Sequence, residues 1–104
     1  MEITFEKEYL LELFYNGEAS DKQHRYQPQT VRKYVRIVNI LDSVEKPTDL
    51  FRFRSLYYEK LVGEMEGLES VRVNDQDRIE FKTSSKGEIT ICSITELSIH
   101  FKRK

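Results

Sequence analysis

Two arginines flank a short polar stretch in the second half of the chain, where residues 70–81 read SVRVNDQDRIEF. Apolar and polar residues alternate on both sides of the stretch, a pattern typical of strands with one face on a core. If the connecting loop has an odd number of residues, Arg72 lies opposite Arg78 on the solvated face. An even loop would pair each arginine with an apolar side chain. The pattern therefore predicts a hairpin that holds the two arginines side by side.

Two adjacent guanidinium groups repel each other unless an anion lies between them. Their forked N–H donors match the oxygens of a phosphate group. The sequence therefore predicts a phosphate site, with RNA as the carrier of the phosphate. The alternative is a solvated strand face whose charge is balanced by Asp75, Asp77 and Glu80.

Other basic residues could contact an RNA backbone, although each could also be an ordinary solvated side chain. The candidates are Arg52, Arg54, Lys60, Lys102 and Arg103. The formal net charge of −1 and the sequence pI near 6.1 argue against strong non-specific binding to nucleic acid. Any cationic surface is therefore expected to cover only a small part of the protein.

The composition predicts a single domain over residues 1–104, with 38% hydrophobic and 34% charged residues. No apolar run approaches the roughly 20 residues of a membrane span, and no signal-peptide layout is present, so a cytoplasmic protein is expected. Cys92 is the single cysteine and is predicted to be a small buried side chain. His24, in a polar loop, is predicted to be a surface residue. No metal-ligand spacing and no glycine-rich phosphate loop occurs, so no metal or other cofactor is predicted.

The hydrophobic periodicity changes from helical to strand-like along the chain. One helix is predicted over Ile3 to Tyr15 and a second from Pro28 to the region of Pro47, and Thr48 to Phe53 could add one further turn. The predicted strands are Leu56 to Val62, Val71 to Thr83 bent at the polar stretch, and Glu88 to Phe101. This order predicts an α+β domain with two N-terminal helices packed on one face of a small antiparallel sheet.

The order and the hairpin residues together resemble the RelE/HigB-like toxins of bacterial type II toxin–antitoxin systems, also called plasmid-maintenance killer proteins. The likeness extends from Phe5 to His100. Its motifs are Leu61-x-Gly63, Gly67, Ser70-Val71-Arg72-Val73-Asn74-Asp75-Gln76, Arg78-Ile79 and the near-terminal His100.

The resemblance implies a RelE-like fold and a small endoribonuclease, or mRNA interferase, that inhibits translation by cutting messenger RNA in the ribosome. It also implies a cognate helix-turn-helix antitoxin of the HigA type as partner. Arg72 and Arg78 match the arginines that would hold the scissile phosphate. His100 matches the histidine that would transfer a proton.

Three positions depart from the pattern of the resembled family. Val62 stands where many members have lysine, Asp77 where many have an aromatic residue, and Ile99 where many have tyrosine. Each departure removes a group that could bind or activate RNA. One alternative is therefore a toxin-fold protein that binds an antitoxin without cleaving RNA. Another is a sheet-based interaction domain unrelated to toxins.

Overall fold

The computed structural model of the chain describes residues 1–63 and 67–99. One five-stranded sheet has the order β1-β5-β4-β3-β2, in which β1 runs parallel to β5 and the other neighbouring pairs are antiparallel. Two 3-10 turns, Pro47–Arg52 and Arg54–Leu56, connect the second helix to β2. The strands and α-helices are β1 Glu2–Phe5, α1 Glu8–Asn16, α2 Pro28–Ser43, β2 Glu59–Lys60, β3 Glu69–Arg72, β4 Asp77–Lys86 and β5 Ile89–Ile99.

The first element is a strand, so the prediction of a helix from residue 3 is wrong for its first five residues. β1 pairs with β5, with Phe5 opposite Ile94, and the Glu6 N–H extends this pairing by donating to the Ile94 carbonyl at 2.9 Å. The β-branched and aromatic side chains of β1 suit a pleated strand. Periodicity alone predicted a helix for these residues, because the strand that they pair with lies at the other end of the sequence.

The two helices form as predicted from Glu8 onward. α1 ends at Gly17, whose φ of 81° is a left-handed conformation and whose N–H donates to the Leu13 carbonyl. α2 begins at Pro28, where the missing N–H has no cost. The Tyr34 hydroxyl donates to the Leu10 carbonyl at 2.7 Å and ties the helices together. The buried residues of α2 are Val31, Tyr34, Ile37, Val38 and Leu41.

The strands differ from the prediction mainly in the middle of the chain. The predicted strand over residues 56–62 contains only the two residues of β2, because Leu56 ends a 3-10 turn and Tyr57 has left-handed φ and ψ angles of 46° and 49°. The predicted bent strand is the pair β3 and β4, and the last predicted strand is β5 over its described part. The α+β class is confirmed, with a mixed sheet in place of an antiparallel one because of β1.

The apolar side chains of the sheet and of both helices form one hydrophobic cluster. Val71, Ile79 and Phe81 belong to it and are fully buried. Because successive strand residues point to opposite faces, Arg72 and Arg78 lie on the face away from the helices. Cys92 is fully buried, as predicted, and burial raises the pKa of its thiol to about 12. In the part of the chain that the structure describes, every helix is too short or too polar to span a bilayer.

Candidate functional site

The hairpin of β3 and β4 places Arg72 directly opposite Arg78. Val71 pairs with Ile79 in the same ladder, and both of these side chains face the core. This register is the one that the odd-loop argument predicts. We call the sheet surface around Arg72 and Arg78 the arginine face.

Asn74 fixes the turn that connects the two arginine strands. Its side-chain oxygen accepts hydrogen bonds from the backbone N–H groups of Gln76 and Asp77, both at 2.8 Å. Its amide nitrogen donates to the Asp77 carboxylate at 3.0 Å, and the Val73 N–H donates to the Asp77 carbonyl at 2.9 Å. Such turns favour asparagine because its side chain replaces missing backbone partners. The spacing of the arginines therefore depends on this residue.

Asp77 lies on the core side of β4 rather than beside the phosphate site. It is buried, whereas the next residue, Arg78, has the opposite orientation along the strand. Burial and, secondarily, the Asp77 carboxylate raise the pKa of Tyr26 to about 12, and both residues line the same cleft. Asp77 was expected among the acidic residues that would balance the arginines on a solvated strand face, and its burial corrects that expectation.

Arg72 is held in place by three contacts. Its Nη2 group forms an ion pair with Asp75, its Nε donates to the Asn74 carbonyl at 3.2 Å, and its guanidinium carbon lies 5.2 Å from the centroid of the Tyr57 ring. The Asp75 side chain is 89% exposed, so the ion pair lies in a high-dielectric environment and contributes little stability. A phosphate could replace Asp75 at low free-energy cost while Tyr57 keeps the guanidinium oriented.

Arg78 is half-buried, and its Nη1 atom is buried with no hydrogen-bond partner among the described residues. On the same face, the Ser98 hydroxyl donates to the Glu80 carboxylate at 2.8 Å. A buried donor without an acceptor is uncommon and costs stability. Arg78 therefore retains hydrogen-bonding capacity that an anion could use.

Tyr57 is a site residue that no sequence motif marked, and its ring contacts the Arg72 guanidinium. Tyr57 is 59% exposed. It is the only non-glycine residue with a positive φ angle among the described residues. Such a conformation costs roughly 1–3 kcal/mol and is concentrated at functional positions. The adjacent Tyr58 is buried, and its hydroxyl donates to Glu69 at 2.5 Å. Tyr58 therefore stabilises the fold, whereas the Tyr57 ring is exposed and free to contact a ligand.

The two basic residues around Phe53 have different surroundings. Arg54 lines a small cavity of about 360 Å³ together with Tyr57, so it lies next to the ring that contacts Arg72. The Arg52 side chain instead donates to the Asp49 carbonyl at 3.4 Å within its own 3-10 turn. The structure therefore brings Arg54, and not Arg52, close to the arginine face.

The register of β2 separates Glu59 from Lys60. Glu59 pairs with Ser70, and Lys60 pairs with Glu69. Residues directly opposite each other in an antiparallel ladder share a face, and Ser70 shares the face of Arg72. Glu59 therefore lies on the arginine face, whereas Lys60, a predicted RNA contact, lies on the other face.

Glu80 also pairs with Ser70. The carboxylates of Glu59 and Glu80 therefore lie on the arginine face, one pairing position away from Arg72 and Arg78. Glu59 could not be identified from the sequence, because a strand of two residues has no detectable periodicity. The remaining predicted residues, His100, Lys102 and Arg103, lie outside the described residues. No group of three or more His, Cys, Asp or Glu side chains within residues 1–63 and 67–99 is arranged to hold a metal ion.

His24 belongs to a different cluster, which we call the Tyr9 network. The His24 ring stacks on Tyr9 with centroids 3.6 Å apart, and its Nδ1 atom lies 3.0 Å from the Asp21 carboxylate. The Tyr9 hydroxyl donates to Glu96, which also pairs with Lys7 at 2.8 Å, and it accepts the Leu97 N–H at 3.0 Å. His24 is thus partly covered, in contrast to the surface position predicted for it.

Several solved structures resemble this chain. The YoeB/ParE toxin from Agrobacterium tumefaciens has a TM-score of 0.57 and 17% identity, over 97% of this chain and all of its own. The YoeB–YefM complex from Staphylococcus aureus has a TM-score of 0.56 and 21% identity, over 97% of this chain and 98% of the matched chain. A YafQ mutant from E. coli gives 0.52 and 14%, over 94% and 91%.

The chain shares the α+β fold of these YoeB/ParE and YafQ structures. The architecture that the resemblance implied is therefore confirmed across nearly the whole length of the described chain. No protein-family model and no curated protein matches the sequence.

Proposed function

We propose that this chain is the toxin of a type II toxin–antitoxin system and acts as a ribosome-dependent mRNA endoribonuclease. The observation that carries the proposal is the pair of arginines fixed side by side, one of them with a buried donor that has no acceptor among the described residues. The shared fold with the YoeB/ParE and YafQ toxins supports the same assignment. An mRNA substrate requires a cytoplasmic protein.

In the proposed reaction a ribose 2′-oxygen attacks the adjacent phosphorus, and the bond from phosphorus to the 5′-oxygen breaks. The products are a 2′,3′-cyclic phosphate and a 5′-hydroxyl. A base must take the 2′ proton, an acid must protonate the leaving 5′-oxygen, and cations must stabilise the developing negative charge. The ribosome would contribute by holding the nucleotides in line.

The described residues would supply two of these functions, the cations and the base. Arg72 and Arg78 would bind the phosphate oxygens through their forked donors. Tyr57 would keep Arg72 oriented and present an exposed ring on which a base could stack. Glu59, on the same face, is the candidate base, and His100 is the candidate acid from the resemblance.

Expression of the chain in bacteria tests the nuclease directly. Growth and mRNA 5′ ends should be followed for the natural chain, for Arg72→Ala with Arg78→Ala, and for Lys82→Ala. Lys82 is an exposed cation on the same face of β4, so its removal controls for a general loss of positive charge. New 5′ ends within codons, lost only in the double variant, are expected. Equal toxicity of the double variant would remove the assignment.

We propose a helix-turn-helix antitoxin of the HigA type as the partner, and α2 offers a surface for it. A groove of about 740 Å³ runs along the outer side of this helix. Val31, Val35 and Ile40 supply apolar lining, and Arg32 and Arg36 supply positive charge. The occupant that matches both properties is an acidic antitoxin segment with apolar side chains.

A charge reversal tests this partner surface. Arg36→Glu should weaken binding of the antitoxin encoded beside the gene by at least tenfold in calorimetry. Lys33→Glu makes the same charge change on an exposed α2 residue that does not line the groove, and it should have little effect. Equal weakening by both variants would indicate general electrostatic attraction and contradict the groove.

The alternative function is an antitoxin-binding protein of the same fold that does not cleave RNA. Val62 favours it, because an 83% exposed apolar side chain stands where a cation would assist phosphate chemistry. Val62→Lys is a clean test, since the side chain is exposed. Asp77→Tyr is a poorer one, because Asp77 is bonded to the turn residue Asn74. Toxicity that appears only in Val62→Lys would establish the attenuated form.

A further inference from the structure

A short segment at the edge of the sheet carries two of the groups assigned to RNA. This edge segment is residues 57–59, in which Tyr57 contacts the Arg72 guanidinium and Glu59 lies on the arginine face. Its strand, β2, has only two residues and is the last strand of the sheet that the described residues form. An edge ladder this short contributes few backbone hydrogen bonds. The edge segment therefore depends on side-chain contacts to hold its conformation.

Tyr58 supplies such a contact on the core side of the sheet. Its hydroxyl donates to the Glu69 carboxylate at 2.5 Å, and its ring centroid lies 5.0 Å from that of Phe51 and 6.3 Å from that of Phe81. Tyr58 is buried, whereas Glu59 is exposed. Because successive strand residues point to opposite faces, an anchor at Tyr58 also sets the direction of the Glu59 side chain. A contact on the core side can therefore position a group on the arginine face.

Glu69 is the acceptor of this contact and is only 6% exposed. Burial of a carboxylate is costly unless hydrogen bonds satisfy it. The second carboxylate oxygen of Glu69 accepts the Thr83 hydroxyl at 2.6 Å, so Glu69 joins β4 to the edge segment. Ser70, the next residue of β3, shares the face of the arginines, so the Glu69 side chain lies on the other face. Glu69 therefore holds the edge segment without placing a negative charge beside a bound phosphate.

The backbone of Tyr57 shows what the anchor must oppose. Its φ and ψ angles of 46° and 49° are left-handed. A non-glycine residue keeps such a strained conformation only where the surrounding structure determines it. The Tyr57 N–H donates to the Arg54 carbonyl at 3.1 Å on one side, and the buried Tyr58 follows on the other. Without the anchor at Tyr58, the backbone would relax and turn the Tyr57 ring away from Arg72.

We propose that Glu69 is a positioning residue of the arginine face and that it acts through Tyr58. Glu69 holds the Tyr57 ring against Arg72 and directs the Glu59 carboxylate toward the RNA, and it touches no RNA itself. The effect on cleavage rests on the proposed function. The ordering of the edge segment does not rest on it, so separate measurements test the two.

Two variants each remove one hydroxyl from the same carboxylate. Tyr58→Phe and Thr83→Val both keep the shape of the side chain, but only Tyr58 belongs to the edge segment. In Tyr58→Phe, amide hydrogen exchange measured by NMR should become at least tenfold faster at Tyr57 and Leu61, whose N–H groups donate to backbone carbonyls. Thr83→Val should change these rates less than twofold. Unchanged exchange in Tyr58→Phe, or equal acceleration in both variants, would overturn the proposal.

Cleavage and binding of RNA separate positioning from general stability. Cleavage of ribosome-bound mRNA at saturating protein should fall about tenfold in Tyr58→Phe, because the base and the phosphate are no longer aligned, and less than twofold in Thr83→Val. Affinity for a 2′-O-methyl oligouridylate, which lacks the attacking hydroxyl, should fall less than threefold in both variants, since Arg72 and Arg78 still bind phosphate. Fluorescence anisotropy measures this affinity. Equal losses of cleavage in the two variants would make Glu69 a purely structural residue and overturn its positioning role.

Substitution of Glu69 itself provides the rescue. Glu69→Gln keeps an oxygen acceptor for Tyr58 and should retain cleavage within about threefold of the natural chain, whereas Glu69→Ala should lose as much as Tyr58→Phe. Tyr58→Phe carries the test if Glu69→Ala does not fold. Selective exchange in Tyr58→Phe without cleavage by the natural chain would remove the nuclease and support the ordering of the edge segment. Cleavage that Tyr58→Phe leaves unchanged would overturn the positioning role and leave the nuclease proposal standing.

Discussion

The protein carries two clusters of ionisable side chains that differ in how their polar groups are satisfied. In the Tyr9 network, the Tyr9 hydroxyl donates to Glu96 and accepts from the Leu97 N–H. The Glu96 carboxylate also forms an ion pair with Lys7. At the arginine face, the Nη1 atom of Arg78 is buried without an acceptor among the described residues. A satisfied network stabilises a fold, whereas an unsatisfied donor lowers stability and is retained where a ligand can use it. We therefore expect the Tyr9 network to stabilise the fold and the arginine face to bind a ligand.

The largest effect is expected from Arg78→Lys, which keeps the charge but removes the forked donor. Cleavage of mRNA should fall about 100-fold, a loss typical of removing one donor from a developing anion. The melting temperature should change little, because the lost Nη1 donor has no acceptor within residues 1–63 and 67–99. Primer extension and thermal denaturation measure the two quantities, with Lys82→Arg as the control. Unchanged cleavage would assign Arg78 to the solvated face of an ordinary sheet.

Tyr9→Phe should have the opposite signature, with stability lost and cleavage kept. The substitution removes a hydroxyl that serves Glu96 and leaves the N–H of Leu97, a buried residue, without its acceptor. We expect a loss of about 2 kcal/mol in the free energy of unfolding. Chemical denaturation followed by circular dichroism would measure it. Tyr15→Phe, at a ring that is 69% exposed, should be neutral. A fall in cleavage with unchanged stability would contradict the assignment of the two clusters.

Glu96→Gln should remove part of the dependence of stability on acidic pH. Burial alone raises the pKa of this carboxyl, but hydrogen bonds from Lys7 and Tyr9 outweigh it and hold the pKa below the ordinary 4.5. A depressed pKa in the folded state means that the unfolded chain binds more protons. The contribution is therefore complete above about pH 4.5 and is lost as the pH falls through the folded pKa.

The expected loss at pH 7 is about 1 kcal/mol, since solvent screens a carboxylate that is one-third exposed. Urea denaturation of both proteins between pH 3 and pH 7 should give curves that converge toward the acid end. Parallel curves would show that Glu96 does not link protonation to folding. Glu88→Gln, in the turn before β5 and exposed, is the matched control.

The hairpin could be predicted from the sequence because its geometry is local. Alternation on both sides of an odd loop fixes the positions of Arg72 and Arg78, and Asn74 has the side chain that such a turn requires. Tyr57 and Glu59 could not be predicted in the same way. The first depends on a left-handed backbone that no residue pattern marks, and the second depends on the pairing of a two-residue strand with β3.

The N-terminal strand shows the same limit at the level of the fold. β1 is defined by its pairing with β5, which is distant in sequence, and its three apolar or β-branched residues fit a helix and a strand equally well locally.

The orientation of Asp77, in contrast, could have been predicted from the sequence. It shares the parity of Ile79 along β4, so the alternation that placed the arginines also turns this carboxylate toward the core side.

The smallest effect is expected at the ion pair between Arg72 and Asp75, because the exposed Asp75 side chain leaves it already weakened by solvent screening. Asp75→Asn should tighten binding of a 2′-O-methyl oligouridylate about twofold at low salt, since Asp75 competes with phosphate for Arg72. An exposed ion pair contributes only about 0.5 kcal/mol, and salt screens it, so the gain should disappear as ionic strength rises. Asp42→Asn, at an exposed aspartate near the end of α2, is the control.

A uridine oligomer suits this measurement because all its bases are the same, so differences between bases do not affect the comparison. If Asp75→Asn weakened binding instead, Asp75 would be positioning Arg72 for the phosphate rather than competing with it. The arginine face would then be a preorganised pair of charges, with Asp75 retained in the complex and Tyr57 below the guanidinium. The sign of a twofold change thus decides whether the ligand displaces a protein contact or uses it.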